Sequence, residues 1–173
     1  MKKLTTPLSG KTIQSLKAGD EILLSGEVYT ARDQAHKKLV ELLEKNKPLP
    51  IELTKTILFY CGPSPAPKGK VIGSCGPTTA SRMDSFSPIL MKFGSRVMIG
   101  KGNRSDGVKK AIKKHRGLYL VAYGGCGALA QERVIRKEVI AFPELGPEAI
   151  YLLEIKEFPL IVGIDSMGKS CLS

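Results

Sequence analysis

Apolar positions along the chain follow two spacings. Residues 21–30 (EILLSGEVYT) are rich in β-forming types with Gly26 in mid-run, which predicts an interrupted strand. In residues 31–45 the apolar side chains fall at Ala35, Leu39, Leu42 and Leu43, and Asn46 and Pro48 close the run, so a helix is predicted. Short apolar runs at 57–60, 70–74, 96–99 and 117–123 predict buried strands. Helices are expected at 79–84, 88–93, 106–114 and 128–133, and further strands at 139–142, 151–155 and 160–165. Residues 62–67 (GPSPAP) read as a stiff loop. Strands and helices alternate, so the fold class is α/β, with a sheet that is mixed near both ends.

The 173 residues suit one domain over 1–173, and no repeat or dividing linker is visible. No apolar run approaches the ~18 residues a membrane span needs. The basic opening, MKKLTTPLSG, has no apolar stretch behind it, so it is not a secretory signal, and a cytoplasmic location is expected. Cys61, Cys75, Cys126 and Cys171 stand far apart without a Cys-x-x-Cys pair, which argues against a zinc ribbon, a thioredoxin-type site and a self-contained iron–sulfur motif. No metal ligand set is expected. Cys75 and Cys126 read as small buried hydrophobes, and His36 and His115 as residues of helix surfaces.

Charge changes the picture. Twenty-seven Lys and Arg against sixteen Asp and Glu leave +11 at pH 7, which suggests an anionic partner. The densest basic run, Lys109 to Arg116, reads as an exposed helix face with Val108 and Ile112 turned inward. Trp is absent and aromatics make up 6% of the chain, so a stacking platform for single strands is poorly supplied. A Lys-rich solvated surface accounts for the run, and nucleic acid binding is disfavoured.

Candidate chemistry gathers at strand-to-helix turns, where open α/β sheets collect ligands. Thr30 and Asp33 make a capping-box-like pair, with Arg32 between them able either to snorkel away or to grip a carboxylate. In 73–84 (GSCGPTTASRMD) a Gly-Pro turn delivers two threonines to a helix start, and Thr78 and Arg82, four apart, share a helical face. Lys101 lies between Gly100 and Gly102 after a buried strand, without the full Walker pattern. Gly124 to Gly127 form a fourth turn, read as close backbone packing or an anion nest. Arg32, Arg82, Lys101 and Thr78 together suit a small dicarboxylate; a general base of ordinary pKa is missing.

The blocks Gly26-x-x-Tyr29-Thr30-Ala31-Arg32-Asp33, Gly62-Pro63-Ser64-Pro65-Ala66, Gly73 to Thr79 with Arg82-Met83-Asp84, Met98 to Gly102, and Phe158-Pro159 before Ile164-Asp165-Ser166 occur in this order. They resemble the beta subunit of class I fumarate hydratases, equivalent to the C-terminal domain of the single-chain enzymes, with the L(+)-tartrate dehydratase beta subunit a close relative. The resemblance implies a swivelling β/β/α domain with flanking helices. It implies an iron–sulfur hydro-lyase that interconverts fumarate and (S)-malate, or one that converts tartrate to oxaloacetate. By the same resemblance a [4Fe–4S] cluster is bound by a partner alpha subunit, in a hetero-oligomer of two alpha and two beta chains. Arg32, Arg82 and Lys101 would bind substrate carboxylates. Thr78 would be the catalytic base, with Arg82 assisting. A non-catalytic basic domain that binds anions or nucleic acid is the alternative of another class.

Overall fold

The computed structural model describes residues 1–122 and 127–173. The elements in order are β1 (Lys2–Thr5), α1 (Gly10–Ser15), β2 (Glu21–Thr30), α2 (Asp33–Glu44), β3 (Ile57–Phe59), α3 (Ser87–Lys92), β4 (Val97–Gly100), α4 (Asp106–His115), β5 (Leu118–Val121), α5 (Gly127–Arg133), β6 (Val134–Ala141) and β7 (Ile150–Ile164). A short 3-10 turn, Ala80–Met83, precedes α3. The class is α/β with a mixed sheet and flanking helices, as the alternation predicted.

Strands β2 to β5 run parallel to their neighbours, and β7 returns antiparallel to both β5 and β2. The pairings β2–β3–β4–β5–β7–β2 therefore close into a ring. Two long strands make the closure possible. β2 gives one edge to β1 and then β3, while its other edge meets β7 from Glu21 opposite Ile161 to Tyr29 opposite Leu152. β7 similarly pairs β6 through its first part and β5 through its last.

Alternation along the short strands fills two cores. Ile57, Phe59, Val97, Ile99, Leu118 and Leu120 belong to one buried cluster with the inward residues of β2 and β7. Their neighbours Leu58, Tyr60, Met98 and Tyr119 belong to the other, under α2, α3 and α4 through Leu39, Leu90, Val108 and Ile112. Burial on both faces is why these strands appear in the sequence as unbroken apolar runs. The basic run lies on α4 with Val108 and Ile112 buried beneath it. Among the described residues, no helix is long and apolar enough to cross a membrane.

Four expectations need correction. The predicted strands 151–155 and 160–165 are one strand, β7, because Pro159 falls between the parts paired to β6 and β5, where a missing N–H costs no ladder bond on that edge. A bulge lies between Leu24, opposite Phe158, and Gly26 (φ 110°), opposite Ile155, and it takes in Glu157 (φ 47°) on β7. Residues 70–74 are a loop, not a strand; Gly73 and Ser74 donate backbone N–H groups to Ser64, and a Cβ on Gly73 would stand 2.4 Å from the Ser64 carbonyl oxygen. The strand predicted at 139–142 begins earlier, at Val134, and β1 and α1 were not foreseen. His36 is not on a surface: it is fully buried against the rings of Tyr60 and Phe86. The turn at 124–126, with Cys126, lies outside the described residues.

Candidate active site

Because β2, β3 and β4 are parallel, the turns that leave their C-terminal ends collect at one end of the ring. Arg32 follows β2, Gly62 follows β3 and Lys101 follows β4. These three, with Thr78 and the Ser64–Ser74 loop, line an open groove of about 520 Å³ that also touches Gly76, Gly127 and Ala128. Among the described residues, none that lines the groove is acidic. The groove thus offers cations, hydroxyls and backbone.

Arg32 occupies the N-cap position of α2 and supplies no side-chain cap. Its carbonyl accepts hydrogen bonds from the His36 backbone N–H at 2.9 Å and from the His36 ring nitrogen Nδ1 at 2.8 Å. Its side chain lies across Gly62, where a Cβ would stand 2.8 Å from Arg32 Cδ and 2.9 Å from Nη1. Glycine is required there for the arginine to lie flat. Arg32 Nε is buried and has no hydrogen-bond partner among the described residues. A buried donor left open costs about 1–3 kcal/mol, so it marks a place where a ligand is expected.

Thr78 and Lys101 are held to each other and to β3. Thr78 donates its N–H to the Tyr60 carbonyl at 2.6 Å, and its own carbonyl faces the Lys101 N–H at 3.4 Å. The Lys101 carbonyl accepts from the Ala80 N–H at 2.9 Å, within a parallel bridge between Thr79 and Lys101. Thr78 lies outside the 3-10 turn Ala80–Met83, so the shared helical face predicted for Thr78 and Arg82 does not exist.

Arg82 is placed differently from the expectation. It lies on the 3-10 turn, half exposed, outside the groove lining, with Nε at 3.0 Å and Nη2 at 2.9 Å from Asp33 Oδ2. That ion pair ties the loop carrying Thr78 to the start of α2. The predicted Thr30–Asp33 capping box is absent as well. Thr30 is buried and its hydroxyl donates to the Ala149 carbonyl and accepts from the Tyr151 N–H, so it joins β2 to β7.

Beneath the groove, Cys61 Sγ and Cys75 Sγ lie 2.8 Å apart, both buried. Cys75 is thus a core residue, as predicted. Hydrogen bonding to Cys75 and burial push the Cys61 thiol up, with Arg32 opposing. Among the described residues no three His, Cys, Asp or Glu side chains stand together as metal ligands. These residues do not fit an iron–sulfur cluster cage. Sequence reasoning missed His36 as the support of Arg32, since its partners come from positions 60 and 86; only the i, i+4 spacing from Arg32 hinted at it.

Comparison with known proteins adds the remaining finding. A family model described as fumarase C-terminus matches residues 2–173. The chain is 41% identical over 170 residues to the anaerobic class I fumarate hydratase of Escherichia coli, covering 97% of this chain and 30% of that one. It is 40% identical over 157 residues to fumarate hydratase 2 of Leishmania major, covering 90% of this chain and 28% of the relative. With the beta subunit of E. coli L(+)-tartrate dehydratase it shares 35% identity over 179 residues, covering 100% of this chain and 88% of that subunit. The chain therefore spans less than a third of the fumarate hydratases it matches and most of the tartrate dehydratase subunit.

Proposed function

The chain belongs to the fumarase C-terminus family, and from that premise we propose that it is the substrate-gripping part of a hydro-lyase acting on a small dicarboxylate, fumarate and (S)-malate in the first place. The observation that carries this reading is the groove without a carboxylate, where Arg32 keeps a buried Nε–H unspent beside Lys101 and Thr78. Arg32 receives one substrate carboxylate in its planar fork, and Lys101 holds the other as a point charge. Each keeps its role from ground state to transition state, because the carboxylates keep their charge.

Thr78 Oγ, as the alkoxide formed by loss of its own proton to solvent before closure, takes the proton from the carbon beside the hydroxyl-bearing one and returns it in the hydration direction. A threonine hydroxyl is a weak base in water. Here two cations face the same groove and favour the charged form, and closure by a partner chain would exclude water. Arg82, bound to Asp33, acts on substrate only through the position it gives the Thr78 loop. The iron–sulfur cluster of this enzyme class belongs, on this proposal, to the partner alpha subunit, together with the chemistry at the departing hydroxyl.

The near-complete overlap with the tartrate dehydratase beta subunit favours a second reading, in which tartrate is the substrate. Assay of the assembled complex with fumarate, malate and tartrate separates the two. In the same assay Thr78→Val should lower kcat by about 10²-fold with KM nearly unchanged, the size expected of a lost proton-transfer group. A near-wild-type kcat in that variant would sink the mechanism and leave the binding roles intact.

A further inference from the structure

Four residues beyond the groove lining, Tyr60, Asp84, Arg104 and Tyr119, meet in one buried contact. The Arg104 side chain is wholly inaccessible, and its Nε donates to Asp84 Oδ1 at 2.7 Å. Nη2 donates to Ser87 Oγ at 2.7 Å and reaches the Tyr60 hydroxyl at 3.4 Å. The guanidinium carbon stands 5.2 Å from the Tyr60 ring centre and 4.9 Å from that of Tyr119.

Each of Tyr60, Tyr119 and Asp84 reaches the Thr78 segment or the turn after Lys101 by one hydrogen bond. The Tyr60 carbonyl holds the Thr78 N–H. The Tyr119 hydroxyl donates to the Gly102 carbonyl at 2.8 Å, directly after Lys101. Asp84 Oδ2 accepts from the Ser105 N–H at 2.8 Å and so closes the turn that begins at Lys101. Gly100 completes the fit: a Cβ there would stand 2.9 Å from the Tyr60 ring, 3.0 Å from Ala80 Cβ and 3.4 Å from the Tyr119 hydroxyl. The Lys101 turn thus rests on a floor of two tyrosines whose spacing is set by the arginine.

We propose that Arg104 is the positioning residue of the groove, fixing the Lys101 turn through Tyr119 and the Thr78 segment through Tyr60. A buried ion pair contributes little net stability compared with well-packed apolar side chains, so stability alone gives weak reason for a guanidinium here. What an apolar side chain lacks is a rigid fork that fixes several partners in direction at once. The inference rests on the groove reading above, and Lys101→Met serves as its control.

The test uses the chain assembled with its partner subunit. Tyr119→Phe and Arg104→Lys are made singly, and Tyr119→Phe is also made on Lys101→Met. KM and kcat for fumarate and tartrate, calorimetric binding of succinate, and thermal unfolding are measured. Tyr119→Phe, which removes one hydroxyl from an otherwise intact core, should raise KM and the succinate Kd about tenfold, with kcat held within about twofold. On Lys101→Met it should add no further rise, because it acts through that lysine. Arg104→Lys should raise KM and lower kcat together; if it fails to fold, Tyr119→Phe carries the test. Folded Tyr119→Phe with wild-type KM, or an undiminished effect on top of Lys101→Met, overturns the proposal. An unchanged Lys101→Met overturns the groove reading, and the positioning role falls with it.

Discussion

Arg32 and Arg104 follow the C-terminal ends of two parallel strands, β2 and β4, at the same end of the ring. Around Arg104 every side-chain nitrogen has a partner: Asp84, Ser87, Tyr60 and the Met98 sulfur accept from it. Around Arg32 that is not so, and a buried Nε–H faces no acceptor among the described residues. The same side chain is scaffold where its hydrogen bonds are spent within the fold and site where one is withheld. The difference teaches that the completeness of bonding separates the two regions better than burial or charge does.

The largest effect expected is on the scaffold side. Arg104→Met strands Asp84 beside a dry wall and should cost about 3–5 kcal/mol of folding stability in urea denaturation. A loss under about 1 kcal/mol would break the comparison. On the site side, Arg32→Met removes an unsatisfied donor, so stability should change by less than about 1 kcal/mol. The same variant should lose about 2–4 kcal/mol in kcat/KM, nearly all of it through KM.

His36 sharpens the contrast because it touches both regions, through the Arg32 carbonyl and the Tyr60 ring. Burial draws its pKa from 6.5 down to about 4, against the bond to Arg32 and with the help of the Arg104 charge. The folded chain therefore keeps it neutral while the unfolded chain takes up a proton below about pH 6.5. Its contribution is full above that pH and is lost as pH falls from 6.5 toward 4, by about 3 kcal/mol in total. Stability measured across that window should fall in the wild type and flatten in His36→Phe. The smallest effect belongs to the half-exposed pair: Asp33→Asn should cost no more than about 1 kcal/mol of stability. It should also raise KM less than Arg32→Met does.

What was legible in the sequence follows the range of the forces involved. The helices α2 and α4 and the strands β3, β4 and β5 declared themselves because burial imprints a local pattern. Arg32 and Lys101 were legible as turn residues after strands, and Thr78 as a residue of the Gly-Pro turn, although the strand expected before it at 70–74 is a loop. The Asp33–Arg82 pair was not, since its partners lie 49 positions apart and each alone reads as a solvated charge. Arg104 carried no signal for the same reason; Asp84 and the two tyrosines reach it only through the fold. β7 was legible only as two strands because its continuity rests on pairings to β6 and then β5, distant in sequence.

The ring closed by β7 also bears on how the chain is made. Pairing Glu21 with Ile161 and Tyr29 with Leu152 joins an early strand to a late one. Such contacts of high sequence separation form slowly, since the whole intervening chain must be drawn into a loop first. During synthesis β2 to β5 can assemble while the free edges of β2 and β5 wait for β7 to leave the ribosome. Open edges of that kind pair with other chains. A stall or truncation before Ile150 would therefore yield an aggregating chain rather than a trimmed barrel, and slow passage through the final strand is the vulnerable interval in the protein's production.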